Sequence, residues 1–220
     1  MTEVYLIRHS IKLRGPVGGD FAVFDRMQPL SAEGEERAKK LLELPELRGA
    51  GFAVASTMSR SLATIRYLLE ADNVPYDIDD RLRELDFGTK PQGQSMDEFM
   101  GRKWLYPDEV PEGGESITQC RTRMGEAIRE AVAAHPGQKI LIGSHGAAIG
   151  SFLSGVLDSV GDDFVRSINL PDVFHLTYED GNVVGYERLE MPFPVPMRGP
   201  EPGGEPPKGP PAEAKGAKRP

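Results

Sequence analysis

The chain has 220 residues, a formal net charge of −8 and 39% hydrophobic residues, enough for one domain with a substantial core. The acidic balance argues against a nucleic-acid-binding protein, and no run of about 18 apolar residues predicts a membrane span. The N-terminus has no basic region before an apolar segment, so we expect no secretory signal, and the single cysteine, Cys120, cannot form an internal disulfide. These features favour a cytoplasmic protein, and they leave room for a small anionic substrate in a locally positive pocket.

Strand and helix patterns alternate along most of the sequence. Ser31 is a predicted N-cap, and Ser116 followed by Gln119 has the pattern of a capping box. In chain order, the sequence predicts a strand at 4–7, a helix after Ser31, a strand at 52–55, a helix from 59 to about 69, a helix from Ser116 to about 134, a strand at 139–143, a helix from 147 to about 157 and a hairpin of 173–178 and 183–189.

Strands separated by helices indicate parallel strands joined by crossovers. We therefore predict an α/β fold, a three-layer α/β/α sandwich with a mostly parallel central sheet. Composition changes after Met191, since residues 192–220 hold ten of the nineteen prolines and almost no large apolar side chains. The sequence thus predicts a folded domain at 1–191 and a disordered Pro/Gly-rich tail at 192–220. A protein partner for this tail is an alternative to a passive tail.

Polar residues follow each of the three apolar strands. In an open parallel sheet, ligands bind beyond the carboxyl ends of the strands, so these residues are expected to meet at one edge. Two imidazoles and two guanidiniums there would suit a phosphate, whose oxygens match the forked donors of arginine. We expect Arg8, His9, Arg60 and His145 to share one position. The other polar residues at these strand ends are Ser10, Ser56, Thr57 and Ser144.

Other interpretations of the same residues remain open. Arg8 could pair with a structural carboxylate, and Arg60 could be a solvated residue on the first turn of a helix. The two histidines could also bind a metal with Glu84 as a third ligand. Two arginines at the same place would repel a divalent cation, so we predict no metal and no cofactor.

Six segments in order resemble the histidine phosphatase superfamily, the phosphoglycerate-mutase-like enzymes. Each match is weak alone, but their shared order from residue 4 to about 150 makes the resemblance specific. The segments are "LIRHS", "QPLSAEG" (28–34), "STMSRSLAT" (56–64), "LRELDFG" (82–88), "GGESITQCRTR" (113–123), in which Arg123 best matches a family arginine, and "ILIGSHGAAI" (140–149).

The resemblance implies a phosphoglycerate-mutase-like fold and a role for each site residue. His9 would be the nucleophile and form a phosphohistidine, since a neutral imidazole attacks without first losing a proton. Arg8, Arg60 and His145 would hold the phosphoryl oxygens and stabilise the developing charge. Glu84 would protonate the leaving alkoxide and then help water to attack the phosphohistidine. The alternative for Glu84 is a surface carboxylate paired with Arg81 or Arg83.

The sequence also departs from the family pattern. Ser10 replaces a glycine, which costs energy if the backbone has positive φ; otherwise its hydroxyl could bind the phosphate. Lys12 and Arg14 replace residues typical of mutases, and they are either extra anion contacts or parts of a solvated loop. The segment 89–99 and the residues after it would form a cap that selects the leaving group.

These features favour a phosphatase acting on a small phosphomonoester without a metal. The first alternative is a mutase of the same family that moves phosphate between two hydroxyls of one small acid. The second is a non-catalytic phosphate-binding adaptor, for which Ser10 is the only support in the sequence. We assign no chemistry to His135 or His175.

Overall fold

A computed structural model of the chain describes residues 1–13 and 25–193. Arg14, which the sequence analysis proposed as an anion contact, and residues 194–220 of the predicted tail lie outside the described residues. The strands are β1 (Thr2–Arg8), β2 (Phe52–Ser56), β3 (Tyr76–Asp79), β4 (Lys139–Ser144), β5 (Asp172–Glu179) and β6 (Asn182–Arg188). The helices are α1 (Ala32–Lys40), α2 (Ser59–Asp72), α3 (Met96–Leu105), α4 (Ile117–Ala134), α5 (Gly146–Leu153) and α6 (Asp162–Ser167).

The six strands form one mixed sheet in the order β3-β2-β4-β1-β5-β6. β1 and β2 each lie parallel to β4, and β2 also lies parallel to β3. β5 is antiparallel to β1 and forms a hairpin with β6. The mostly parallel sheet is confirmed, and it places the carboxyl ends of β1, β2 and β4 side by side.

Alternate side chains of the strands pack on opposite faces of the sheet, as the period of two requires. On one face, Leu6 and Ile142 pack against α4 and α5, which contribute Met124 and Ile149. On the other face, Ile7 packs with residues of α2 and of the short turns after α1. The predicted three-layer α/β/α arrangement is therefore confirmed.

The predicted helix starts are confirmed by their caps. The Ser31 hydroxyl accepts a hydrogen bond from the Gly34 amide, and Ser116 and Gln119 form the reciprocal capping box. The predicted end of α5 near residue 157 is wrong, because the helix ends at Leu153. After Leu153 the Gly155 amide donates to the Phe152 carbonyl, which forms a turn. The low helix propensity of glycine favours this end of the helix.

The predicted tail boundary falls too early. Phe193 is buried, and its ring centroid lies 5.2 Å from the Arg37 guanidinium. Residues 192 and 193 therefore belong to the packed structure rather than to a disordered tail. Within the described ranges, none of the helices is both long and apolar enough to cross a bilayer.

Candidate active site

Two histidines meet at the carboxyl edge of the sheet, as predicted. His9 directly follows β1, His145 directly follows β4, and both side chains are buried. Their ring centroids are 5.2 Å apart and the ring planes are inclined by 56°. The His9 amide also donates to the Ser144 carbonyl, which ties the two strand ends together at 3.0 Å.

The hydrogen bond of His9 defines which of its nitrogens is free. Its Nδ1 lies 2.7 Å from the carbonyl oxygen of Ser10. A carbonyl can only accept, so Nδ1 carries the proton and Nε2 keeps its lone pair in the neutral ring. Burial, together with the positive charges of Arg8 and Arg60, lowers the pKa of His9 well below its ordinary value. At neutral pH the ring is therefore neutral and its Nε2 can act as a nucleophile.

Two main-chain carbonyls help to hold the Arg8 side chain. Its Nη1 donates to the carbonyl oxygens of Ile168 and Asn169. The Asn169 amide in turn donates to Asp172 at 2.6 Å, and that carboxylate pairs with Arg188. The buried Asp172 thus fixes the loop that orients the Arg8 guanidinium.

Gly146, the first residue of α5, lies directly against that guanidinium. A Cβ at position 146 would approach Arg8 Cζ to 2.9 Å and Nε to 3.0 Å. A glycine is therefore required if the Arg8 side chain is to keep this position beside His145.

The variant Gly146→Ala should fold and lose activity, because the end of the flexible Arg8 side chain can move away from the new methyl group. For the phosphatase activity that the resemblance implies, we expect kcat/KM for a phosphomonoester to fall about 10- to 100-fold, since misplacing a positioning group by about 1 Å costs that much. The control is Gly161→Ala, because no atom of the described residues, apart from its two chain neighbours, lies within 4 Å of its added Cβ. Wild-type kcat/KM in Gly146→Ala, measured beside the control, would contradict the assigned position of Arg8.

Arg60 is buried with 2% relative exposure, so the solvated alternative is wrong. Its Nη1 donates to the main-chain oxygen of Asp25 at 2.6 Å and lies 3.4 Å from that residue's carboxylate. The Asp25 carboxylate also pairs with Lys12 at 3.2 Å. Lys12 is thus an ion-pair partner of Asp25, and the Nε of Arg60 is buried without a hydrogen-bond partner among the described residues.

Ser10 fits its position without backbone strain. Its φ is not positive, and its amide donates to Thr64 Oγ1 at 2.8 Å. Thr64 Oγ1 donates in turn to the Arg60 carbonyl, which links α2 to the loop after β1. The Ser10 hydroxyl is buried and has no hydrogen-bond partner within residues 1–13 and 25–193. Compared with the glycine of the family pattern, Ser10 therefore adds a hydroxyl beside His9 that has no hydrogen-bond partner among the described residues.

His145 is fully buried and bonded through one nitrogen only. Its Nε2 lies 2.8 Å from Ser56 Oγ at the end of β2, while its Nδ1 is buried with no partner in the described part of the chain. Burial, His9 and Arg60 lower the pKa of His145 well below its ordinary value. The second imidazole is therefore also neutral at neutral pH.

The side chain of Glu84 lies against the N-terminus of α5, the helix that follows His145. Its Oε1 accepts the Ala148 amide at 2.9 Å, and its Oε2 lies 3.4 Å from the Ala147 amide. A hydrogen-bond acceptor is favourable at this helix terminus, where the backbone N–H groups have no partners within the helix. The surface-pair alternative is wrong, because in the described structure Arg81 pairs with Asp79 and Glu130, and Arg83 pairs with Asp80 and Glu115.

Arg123 supports the backbone that carries Glu84. Its guanidinium donates to the carbonyls of Arg83 at 2.9 Å and Glu84 at 3.1 Å, and its Nε pairs with Glu115 at 2.9 Å. Ser144 Oγ also donates to the Leu82 carbonyl at 2.8 Å, which ties this loop to the end of β4. The family-matched arginine is thus a structural support for the loop that holds Glu84.

The other two histidines, His135 and His175, stack on aromatic rings. His135 stacks on Phe52 at 3.9 Å and His175 on Tyr5 at 4.5 Å, which gives both rings packing roles. Across the described ranges, no group of three or more His, Cys, Asp and Glu residues is arranged to hold a metal ion. The segment predicted to form a cap contains the beginning of α3.

Acid should destabilise the fold through the two buried imidazoles. In the unfolded chain these rings take up protons near their ordinary pKa of about 6.5, whereas the folded state disfavours protonation, so the free energy of unfolding falls as pH drops below that value. Between about pH 7.5 and pH 5.5 we expect a loss of up to about 1.4 kcal/mol for each histidine. Urea unfolding at both pH values measures this loss in the wild type and in the His9→Gln/His145→Gln double variant. An equal loss of unfolding free energy in the two proteins would contradict the prediction.

Sequence reasoning missed Asp25 and Thr64, and it placed Ser56 at this edge without predicting its contact with His145. Asp25 gave no signal, because an acidic residue is not expected beside an anion-binding arginine. Thr64 and Ser56 lie in a quoted family segment, but their partners come from other elements and cannot be deduced from spacing alone.

The fold and this edge define an α/β protein that gathers two neutral histidines, two arginines and a carboxylate at the ends of parallel strands. The sequence model of the histidine phosphatase superfamily (branch 1) matches residues 4–184, and the chain belongs to that superfamily.

Similar proteins include both mutases and phosphatases by name. A "Probable phosphoglycerate mutase GpmB" from Proteus mirabilis is 31% identical over 170 residues, covering 71% of this chain and 75% of that protein. The solved structure of Bacillus stearothermophilus YhfR has a TM-score of 0.64 and 24% identity, covering 83% of this chain and 94% of YhfR. A mycobacterial glucosyl-3-phosphoglycerate phosphatase with VO3 has a TM-score of 0.61 and 20% identity, covering 84% and 96%. The structural matches support the fold.

Proposed function

We propose that the chain is a phosphatase that hydrolyses a small phosphomonoester through a phosphohistidine on His9. The observation that carries the proposal is a set of three buried polar atoms around His9 with no partner among the described residues. Buried polar groups are nearly always hydrogen-bonded, so such atoms in one place call for a ligand rich in acceptors. The atoms are Ser10 Oγ, Arg60 Nε and His145 Nδ1.

In the first half-reaction, the lone pair of His9 Nε2 forms a bond to phosphorus while the bond to the leaving oxygen breaks. Glu84, in its acid form, gives its proton to that oxygen. Arg8 and Arg60 hold the equatorial oxygens by positive charge and forked donors, which is where most catalysis in phosphoryl transfer lies. Ser10 and His145 add one donor each.

In the second half-reaction, the Glu84 carboxylate takes a proton from water, and the water oxygen attacks phosphorus. The bond between nitrogen and phosphorus breaks, inorganic phosphate leaves, and His9 returns to its starting form. No other base is needed, because the attacking imidazole is already neutral. We propose that neither half-reaction requires a metal or another cofactor.

A phosphoglycerate-mutase activity is the second candidate, because the 31% identical relative carries that name. A mutase would retain the phosphoenzyme and return the group to a second hydroxyl of the same molecule. The family pattern continues with residues typical of mutases where this chain has Ile11 and Lys12, and this departure supports the hydrolase instead.

The test is a comparison of hydrolysis with isomerisation in excess chelator. The substrates are p-nitrophenyl phosphate, phosphosugars, nucleotides and phosphoglycerates. We expect released inorganic phosphate without added metal. Isomerisation of phosphoglycerate faster than hydrolysis would favour the mutase. Phosphate binding without turnover on any substrate would favour the adaptor.

A further inference from the structure

Ser56 is a buried residue whose side chain contacts His145. It is the last residue of β2, has 1% relative exposure, and its Oγ lies 2.8 Å from His145 Nε2. The same oxygen accepts a hydrogen bond from the Met58 amide at 3.0 Å. Its own amide is held by Ser61 Oγ at 3.3 Å, so the hydroxyl is fixed from several sides.

The direction of the hydrogen bond to His145 follows from this arrangement. A serine hydroxyl has one proton to donate, and the Met58 amide already uses one of its lone pairs. Within the described residues no acceptor other than His145 Nε2 lies in hydrogen-bonding range of Ser56 Oγ. The hydroxyl therefore donates to Nε2, and the neutral ring must carry its proton on Nδ1.

The proton on Nδ1 gives the two histidines complementary roles. His9 donates through Nδ1 to the Ser10 carbonyl and leaves an Nε2 lone pair, while His145 has a buried Nδ1 without a described partner. One ring thus offers electrons to phosphorus, and the other offers an N–H to a phosphoryl oxygen. The opposite tautomer of His145 would place a lone pair against that oxygen and repel it.

We propose that Ser56 is a positioning residue that keeps His145 in the Nδ1–H tautomer, so that this N–H binds a phosphoryl oxygen. The catalytic effect of Ser56 rests on the proposed function. The tautomer of His145 does not, because it follows from the hydrogen bond to Ser56 alone. Ser56 itself touches no reacting atom.

Replacing Ser56 with alanine removes the donor and leaves Nε2 free to carry the proton. We expect a mixture of tautomers and a fall of about 10²-fold in kcat, as for the loss of a transition-state donor or a wrong histidine tautomer. Ser56→Thr keeps the hydroxyl and should recover the tautomer and much of the activity. Ser59→Ala is the matched control, because the Ser59 hydroxyl donates to the Gln28 carbonyl and not to a histidine.

The experiment is long-range ¹H–¹⁵N NMR of ¹⁵N-histidine-labelled full-length protein, which distinguishes a protonated Nδ1 from a protonated Nε2. A His145→Gln spectrum assigns the signals, and spectra are recorded with and without inorganic phosphate. We expect Nδ1–H at His145 in the wild type, Ser56→Thr and Ser59→Ala, and appearance of Nε2–H in Ser56→Ala.

Two results would overturn the proposal. One is a wild-type His145 protonated on Nε2, and the other is a Ser56→Ala spectrum identical to that of the wild type. Neither result depends on turnover. A wild type without phosphatase activity but with Nδ1–H at His145 would instead contradict the proposed function and leave the tautomer assignment in place.

Discussion

Replacing His9 with alanine should lower kcat for p-nitrophenyl phosphate by about 10⁴-fold or more, because in the proposed mechanism His9 forms the covalent intermediate. His9 has the features that the proposed mechanism requires of a nucleophile. Its ring is neutral, its Nδ1–H is bonded to the Ser10 carbonyl, and its Nε2 keeps a lone pair. Steady-state release of p-nitrophenol measures the effect.

The same variant separates chemistry from binding. Arg8, Arg60 and His145 remain in His9→Ala, so inorganic phosphate should still bind and protect the protein against thermal unfolding. The control is His135→Ala, which removes an imidazole that packs on Phe52 outside the site. Turnover of His9→Ala within tenfold of wild type would contradict the role given to this ring.

Replacing Glu84 with glutamine should produce an effect that depends on the leaving group. For an alkyl phosphate, whose leaving oxygen needs a proton, we expect kcat to fall about 10²- to 10⁴-fold. For p-nitrophenyl phosphate, the first step needs no proton, so the phosphohistidine should form and then hydrolyse slowly for lack of a base. The amide oxygen of glutamine can still accept from Ala148, which keeps the loop in place.

Rapid-mixing kinetics measure this difference. With p-nitrophenyl phosphate, Glu84→Gln should show a burst of p-nitrophenol equal to the enzyme concentration, followed by slow turnover. With an alkyl phosphate it should show no burst of alcohol. Asp86→Asn, which changes an exposed carboxylate two residues away, should behave as wild type. Equal losses for both substrates without a burst would show that Glu84 is not the acid and base.

Much of the fold could be predicted because its signals are local. The apolar strands at β1, β2 and β4 end where polar residues begin, and the serine caps of α1 and α4 are short-range patterns. The turn of the final hairpin follows from Asp180 and Gly181, which both have positive φ. The convergence of His9 and His145 then follows from parallel pairing alone.

Three elements were not predicted, for different reasons. β3 is a four-residue edge strand with exposed side chains, too short for a periodic signal. α3 does carry a signal, since Ser95 and Glu98 form a capping box that could have been read from the sequence. α6 has only six residues and buries none of them fully, so it leaves little hydrophobic pattern.

The details of the site depend on contacts between distant residues. The carbonyls that hold Arg8 come from the loop before β5, which is about 160 residues away in the chain. The Asp25 carboxylate beside Arg60 and the Ser56 hydroxyl beside His145 are also brought in by the fold. Residue types identify the chemistry, whereas tautomers and orientation require the three-dimensional structure.

Direct trapping of the intermediate tests whether His9 receives the phosphoryl group. The enzyme is mixed with radiolabelled phosphomonoester, quenched in base, where phosphohistidine survives, and digested for mass spectrometry. We expect one labelled peptide that contains residues 4–10, with the phosphoryl group on His9 and loss of the label in acid. A label on Ser10 or on any other residue would contradict this expectation, as would full turnover with no labelled enzyme at any time.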